Sequence, residues 1–155
     1  MDYLLLKSIH VLSAVLLFGT ALGSAFYKYF TDRTEVLPAI AETNRLVVIA
    51  DWLFTTPTVI IQPLSGFLLV YIAGWPWDTP WLIAAYALFI VAGACWLPVV
   101  WLQIRMRDIS REALLSNTSL PTQYHRLQRF WFWLGVPAFT GMVGTILLMV
   151  IKPAL

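Results

Sequence analysis

Four long stretches without a charged residue constrain this chain more than any other feature. They cover residues 8–27, 52–77, 79–104 and 130–151, which are 20, 26, 26 and 22 residues long. Each is longer than the ~18 apolar residues that mark a candidate transmembrane helix. Only 12% of all residues are charged, against about 25% in soluble domains, so a water-soluble globule is excluded. We therefore predict an all-α polytopic membrane protein, a bundle of four transmembrane helices in a lipid bilayer.

The predicted helices cover about residues 3–30, 47–73, 80–115 and 122–151, within one domain of 155 residues. We predict that residues 31–46 form a short polar connector that can include one helical turn. The apolar core of the first helix is longer than the 7–15 residues usual in a signal peptide, and no basic segment precedes it. We therefore expect the first helix to remain part of the protein and not to be cleaved off as a signal peptide.

Lysine and arginine predict the orientation, because short cytoplasmic loops are enriched in both. Eight of the ten lie in or beside the two longer connections: Lys28, Arg33, Arg45, Arg105, Arg107, Arg111, Arg126 and Arg129. Only Lys7 and Lys152 lie at the other side. We therefore expect both termini to lie on the outer side of the membrane and the two longer connections to lie in the cytoplasm. The net charge of +2 is too small and too scattered to suggest nucleic-acid binding.

His10 is the main polar exception within the apolar segments. It lies about two turns, or ~10 Å, from Tyr3 along the first helix, with Lys7 one turn away on the same face. An ionisable side chain in hydrocarbon needs a partner or a function. A neutral imidazole is a common axial ligand of haem iron, and a lysine nearer the interface could pair with a propionate. The alternative is a histidine that only forms a hydrogen bond to a neighbouring helix.

A polar stripe follows the second helix at spacings of 4, 3, 4 and 3 residues: Asp51, Thr55, Thr58, Gln62 and Ser65. This spacing places the five side chains on one face, which we expect to point into the bundle. The stripe could line a path for water or protons. The alternative is that its members only form hydrogen bonds between helices, each contributing about 0.6 kcal/mol.

Matching depths along the helices suggest a cofactor slot. The layer of His10 should contain residues 65–69, Ala84, Ala85, Leu148 and Met149. We predict b-type haem in this slot, with His10 as the metal ligand and Met149 as a second axial ligand. Lys7 and Lys152 are then candidates to bind the propionates.

Small residues mark two helix faces that favour close packing. Gly19 and Gly23 form a GxxxG pattern in the first helix, and Gly135, Ala138, Gly141 and Gly144 recur in the fourth. Such faces allow contact within the bundle or across a homodimer.

Several motifs together resemble a bacterial family of predicted integral membrane proteins of unknown function. They are Lys7-Ser8-Ile9-His10, Gln62-Pro63-Leu64-Ser65-Gly66, Leu97-Pro98-Val99-Val100-Trp101 and Gly135-Val136-Pro137-Ala138-Phe139. That family is distantly similar to the HemJ-type protoporphyrinogen oxidases and to the CopD-type copper-resistance membrane proteins. The resemblance to a bacterial family implies the bacterial inner membrane, so the termini expected outside from the lysine and arginine count would be periplasmic. HemJ-type proteins bind haem b through a first-helix histidine, which corresponds to His10, with lysine positions corresponding to Lys7 and Lys152.

Three functions remain open. The first is a haem protein with a redox or haem-related role, which would need a redox partner protein and could be oxidoreductase-like. The second is an assembly or structural subunit without chemistry of its own. The third is a copper-handling membrane protein whose soft ligands would be His10, Met142 and Met149.

Overall fold

The structure, a computed structural model, describes residues 2–153, and all of its regular secondary structure over that range is helical. Its helices are α1 (Tyr3–Asp32), α2 (Leu37–Ala50), a π-helical segment (Asp51–Thr55), α3 (Thr56–Ala73), α4 (Pro80–Leu115) and α5 (Thr122–Ile151). Because α2, the π-helical segment and α3 form one continuous rod, four helices are long and apolar enough to cross a membrane. The predicted all-α bundle of four spans is confirmed.

The ends of the bundle differ in what connects the helices. The terminal end contains the start of α1, the end of α5 and the turn 74–79, whereas the loop end contains the connections 33–36 and 116–121. Gly74 ends α3 with φ of 68°, a left-handed conformation that glycine adopts without strain. Asp2 caps the start of α1 by accepting a hydrogen bond from the Leu4 amide at 3.2 Å.

The second membrane rod begins at Leu37, and not near residue 47 as predicted. Charged Glu42 and Arg45 suggested a connector, but both lie on the exposed face of α2. The opposite face buries Ile40, Asn44 and Val47. This segment is therefore amphipathic, and counting uncharged residues missed it because only one of its faces contacts protein.

The π-helical segment Asp51–Thr55 ends two residues before Pro57. At its end, the Thr56 amide donates to the Asp51 carbonyl, five residues earlier. Proline has no amide hydrogen and cannot form the usual bond to the carbonyl four residues earlier, so the helix can widen here. The widened turn keeps both Asp51 and Thr55 buried.

Helices α4 and α5 pack closely through glycine. A Cβ built on Gly141 would lie 3.2 Å from the Leu88 carbonyl oxygen, and one on Gly144 would lie 2.9 Å from Leu88 Cδ1. Near the loop end, an apolar core joins Ile40 of α2, Met106 of α4 and Trp131 of α5. Many large apolar side chains on the outer faces are exposed, as expected where lipid surrounds the helices.

Candidate functional site

Two polar side chains of α3, Ser65 and Gln62, tie His10 to that helix. Its Nδ1 lies 2.8 Å from the Ser65 hydroxyl. Gln62 Nε2 donates to the His10 carbonyl at 2.9 Å and to the Ser13 hydroxyl at 2.8 Å. Ser13 and Ser65 are both buried, and Gly66 lets the imidazole lie against α3, since a Cβ there would be 3.4 Å from His10 Cε1. These contacts join α1 and α3 in the terminal half of the bundle.

The hydrogen-bond network assigns the tautomer of His10. The Ser65 hydroxyl has one hydrogen, and it donates to the Ile61 carbonyl at 2.6 Å. With the Ser65 hydrogen on this carbonyl, the hydroxyl accepts from His10, which assigns the proton to Nδ1. Nε2 has the lone pair and has no hydrogen-bond partner within residues 2–153. A histidine ring held in this way through one nitrogen can bind a metal ion through the other.

A small cavity of about 80 Å³ lies beside this ring. We call it the His10 cavity. Its lining includes Gly66, Ala85 and Met149, which belong to the layer predicted for His10, and also Met142 and Tyr86. The structure therefore brings one imidazole and two thioethers to the same cavity.

The two lysines predicted beside His10 do not line its cavity. Lys7 is exposed. Lys152 is also exposed, and its Nζ lies 5.3 Å from the Trp75 ring centroid and 5.7 Å from that of Trp81. Lys152 thus makes cation–π contacts with the aromatic residues at the terminal end. Among residues 2–153, no group of three His, Cys, Asp or Glu side chains could hold a metal ion.

The polar stripe is buried along its whole length, but its members make different contacts. Gln62 and Ser65 bond to α1, as described above, whereas the Thr58 hydroxyl bonds within its own helix, to the Phe54 and Thr55 carbonyls. Asp51 Oδ2 and Thr55 Oγ1 are buried without a hydrogen-bond partner within the described range. Bonding between helices therefore accounts for the half of the stripe near His10 and leaves the half near the loop end unexplained.

A second, larger cavity of about 430 Å³ adjoins that half of the stripe. We call it the Asp51 cavity. Asp51 and Thr55 line it, together with Gln103 of α4. It shares Leu17, Phe89 and Met142 with the lining of the His10 cavity. The two cavities are therefore neighbours inside the bundle.

Lys28 is the centre of a buried network that the sequence analysis missed. Its side chain is 0% exposed, and Nζ donates to Asp32 at 2.8 Å, Asn44 at 2.8 Å and Tyr124 at 3.2 Å. Asn44 also donates to Ser110 at 3.1 Å, and the Tyr124 hydroxyl donates to Asp32 at 2.6 Å. This Lys28 network links α1, α2, α4 and α5. The only signal in the sequence was the Lys28 to Asp32 spacing of four residues.

The comparison with known families decides how this chain is classified. A family model described as "Predicted integral membrane protein (DUF2269)" matches residues 4–153. The chain belongs to this family. No curated protein and no solved structure matches the chain. Membership confirms the resemblance to a family of integral membrane proteins of unknown function and agrees with the four spans of the structure.

Proposed function

We propose that this protein is a membrane-embedded metal-binding protein that holds Cu(I) at the His10 cavity. The observation that carries the proposal is that His10, Met142 and Met149 line one cavity. Thioether sulfur and imidazole nitrogen are the neutral, soft donors that Cu(I) prefers.

The charge of the site favours a monovalent ion. Within residues 2–153, no carboxylate lines the His10 cavity, and the cost of moving an ion out of water rises with the square of its charge. A divalent ion such as Zn²⁺ would lack the anionic ligands that usually compensate it. The cavity volume of about 80 Å³ also suits a single ion bound by the lining side chains better than a large cofactor.

Binding of b-type haem through His10 is the second candidate. The free Nε2 and the fixed tautomer supply the donor that an axial ligand needs. The volume does not fit, because about 80 Å³ is far below the roughly 300–1,000 Å³ of cofactor pockets. Haem would have to occupy the Asp51 cavity as well and displace Leu17, Phe89 and Met142, which line both. A haem-related redox role, a redox partner protein and distant similarity to HemJ-type proteins are proposals that depend on this second candidate.

Titration of the purified full chain with Cu(I), in competition with a chromogenic Cu(I) chelator, tests the first candidate. We expect one ion per chain, and a loss of affinity of about 100-fold or more in His10→Asn. Asparagine places an amide near the position of Nδ1, so it can keep the bond to Ser65 while Nε2 is lost. Met142→Leu with Met149→Leu should also weaken binding strongly. The matched control is Met106→Leu, because Met106 is 0% exposed and lies in the apolar core near the loop end.

The absorption spectrum of the same protein, expressed with added haem, separates the two candidates. A Soret band in the wild type that is lost in His10→Asn would favour haem over copper. If neither copper nor haem binds, and His10→Asn complements a deletion strain, the protein is better explained as an assembly or structural subunit.

The membrane location and the assembly state are separate parts of the proposal. We propose the bacterial inner membrane, with periplasmic termini, from the distribution of lysine and arginine. A homodimer through Gly19 and Gly23 is consistent with the open space around both, since a Cβ on either would meet nothing within 4 Å.

A further inference from the structure

The Asp51 cavity is large enough to hold a small organic molecule. Its volume of about 430 Å³ lies within the roughly 300–1,000 Å³ typical of ligand sites. All four membrane rods line it, and most of its wall is apolar or aromatic, including Phe89, Trp96, Trp131 and Phe139. A flat ring could therefore pack against several of these side chains.

Three polar atoms of residues that line this cavity have no hydrogen-bond partner assigned within residues 2–153: Asp51 Oδ2, Thr55 Oγ1 and Gln103 Oε1. Their residues are only 5%, 2% and 6% exposed. A buried polar atom without a hydrogen bond costs about 1–3 kcal/mol, so such atoms are rare in folded proteins. The Thr55 hydroxyl lies close enough to the Asp51 carboxylate to donate to it, so the acceptors left for a ligand are this carboxylate and the side-chain oxygen of Gln103. Two such acceptors on two helices that line one cavity indicate that the cavity receives a molecule with hydrogen-bond donors.

The surroundings of the cavity show where such a molecule would enter. Leu22 and Phe26 of α1 and Val136 of α5 line the cavity, and they are 48%, 55% and 42% exposed. The exposed faces of membrane helices contact lipid. The cavity thus opens between α1 and α5 towards the bilayer, and its ligand must be soluble in lipid.

We propose that the Asp51 cavity binds a lipid-soluble hydroquinone. A hydroquinone has an aromatic ring for the apolar wall and two hydroxyl groups that donate to the unpartnered oxygens. One of its hydroxyl groups can donate to Asp51 and the other to Gln103, whose side-chain oxygen is a neutral acceptor. The proposal concerns binding alone and does not depend on metal at His10.

The test compares a short-chain hydroquinone with its dimethyl ether, which has the same ring but no donors. Binding to the full chain in lipid nanodiscs is followed under anaerobic conditions by quenching of tryptophan fluorescence, since Trp96 and Trp131 line the cavity. We expect the hydroquinone to bind the wild type about tenfold more tightly than the ether, as one or two hydrogen bonds allow. In Gln103→Leu this preference should shrink severalfold while the ether binds as before.

Two further variants locate the effect. Tyr86→Phe is the matched control, because the Tyr86 hydroxyl is also buried and unpartnered but lines the His10 cavity. It should leave both affinities unchanged. Gly135→Leu should abolish binding of both compounds, since Gly135 lines the Asp51 cavity and a Cβ there meets nothing within 4 Å. Thermal unfolding of each variant, measured without ligand, checks that the bundle is intact.

Three results would overturn the proposal. Equal affinity for the hydroquinone and the ether would mean that the cavity takes apolar molecules without using its acceptors. Unchanged binding in a folded Gly135→Leu protein would place the ligand elsewhere. Tighter binding of a lipophilic ammonium compound of similar size, lost in Asp51→Asn but kept in Gln103→Leu, would assign the cavity to cations.

Discussion

At the scale of single residues, the position of one proton on His10 decides what this side chain can do. Ser65 accepts from Nδ1 because its own hydrogen is used by the Ile61 carbonyl. The ring is thereby oriented and Nε2 is left free. Sequence alone located His10 and its layer, but it could not show which nitrogen would be free, because Ser65 lies 55 residues away.

Replacing Ser65 by alanine should weaken Cu(I) binding without removing a ligand. Loss of the hydroxyl frees the ring to rotate, and partners that orient a metal ligand typically contribute about 10–100-fold in affinity. The expected result is a loss of about tenfold, measured by the chelator competition. Ser24→Ala is the control, because Ser24 bonds only within α1, to the Ala21 carbonyl. Equal affinities of Ser65→Ala and the wild type would contradict a role for Ser65 in orienting His10.

Lys28 gives a second prediction at this scale. Lys28→Met should destabilise the bundle by about 3–5 kcal/mol, because it leaves a buried Asp32 carboxylate without its cation. The measurement is unfolding in detergent. Arg45→Met removes the corresponding exposed pair with Glu42, whose side chains are more than half exposed, and should have little effect. Similar stability of the two variants would contradict the structural importance of the Lys28 network.

The Lys28 network is an example of contacts that could not be predicted from the sequence. Eight basic residues were treated as one orientation signal, and their individual surroundings were invisible. Three of the partners of Lys28 come from other helices, namely Asn44, Tyr124 and Trp131. Contacts of this kind depend on how the helices pack and not on local spacing, so they could not be inferred from the chain itself.

At the scale of helices, the ends of α1, α4 and α5 were predictable because long apolar runs and turn residues mark them. The start of α2 was not predicted correctly, although a signal was present: Ile40, Asn44, Val47 and Val48 recur at helical spacing and are buried. An amphipathic helix with charges on one face requires this periodicity to be considered alongside charge. The only sequence signal for the π-helical segment was Pro57, and a proline within a helix more often produces a kink.

The packing of α4 against α5 yields a prediction at this scale. Gly141→Ala should destabilise the bundle by about 1–3 kcal/mol, because the new Cβ meets the Leu88 backbone carbonyl at 3.2 Å and a backbone cannot move without shifting its helix. Gly144→Ala meets only the flexible end of the Leu88 side chain and should cost less. Gly19→Ala, which meets nothing, should not lower the unfolding midpoint of the monomer. Equal effects of all three substitutions would contradict the predicted close contact at Gly141.

At the scale of the whole molecule, the structure divides the bundle into three polar zones along its length. The His10 cavity lies in the terminal half, the Asp51 cavity adjoins it, and the Lys28 network joins four helices near the loop end. Polar groups inside a membrane protein are costly and are usually functional or paired. The paired network stabilises the fold, and the two cavities are left as the places where ligands can bind.

The orientation of this arrangement is a prediction of its own. A reporter placed after Leu155 should be active only outside the cell, and one inserted near Asn117 only inside, because eight of the ten basic residues lie in or beside the longer connections. Active-enzyme reporters specific for each compartment make the measurement. The opposite pattern would place the His10 cavity nearer the cytoplasm and contradict the proposed periplasmic termini.

The most direct test of the central claim is X-ray absorption at the copper edge, on the purified full chain loaded with one equivalent of Cu(I). A copper site at the His10 cavity predicts a Cu(I) edge with one imidazole nitrogen and two sulfur neighbours. It also predicts that the sulfur signal is lost in the Met142→Leu, Met149→Leu double variant. A spectrum without sulfur in the wild type, or one unchanged in the double variant, would contradict a copper site at the His10 cavity.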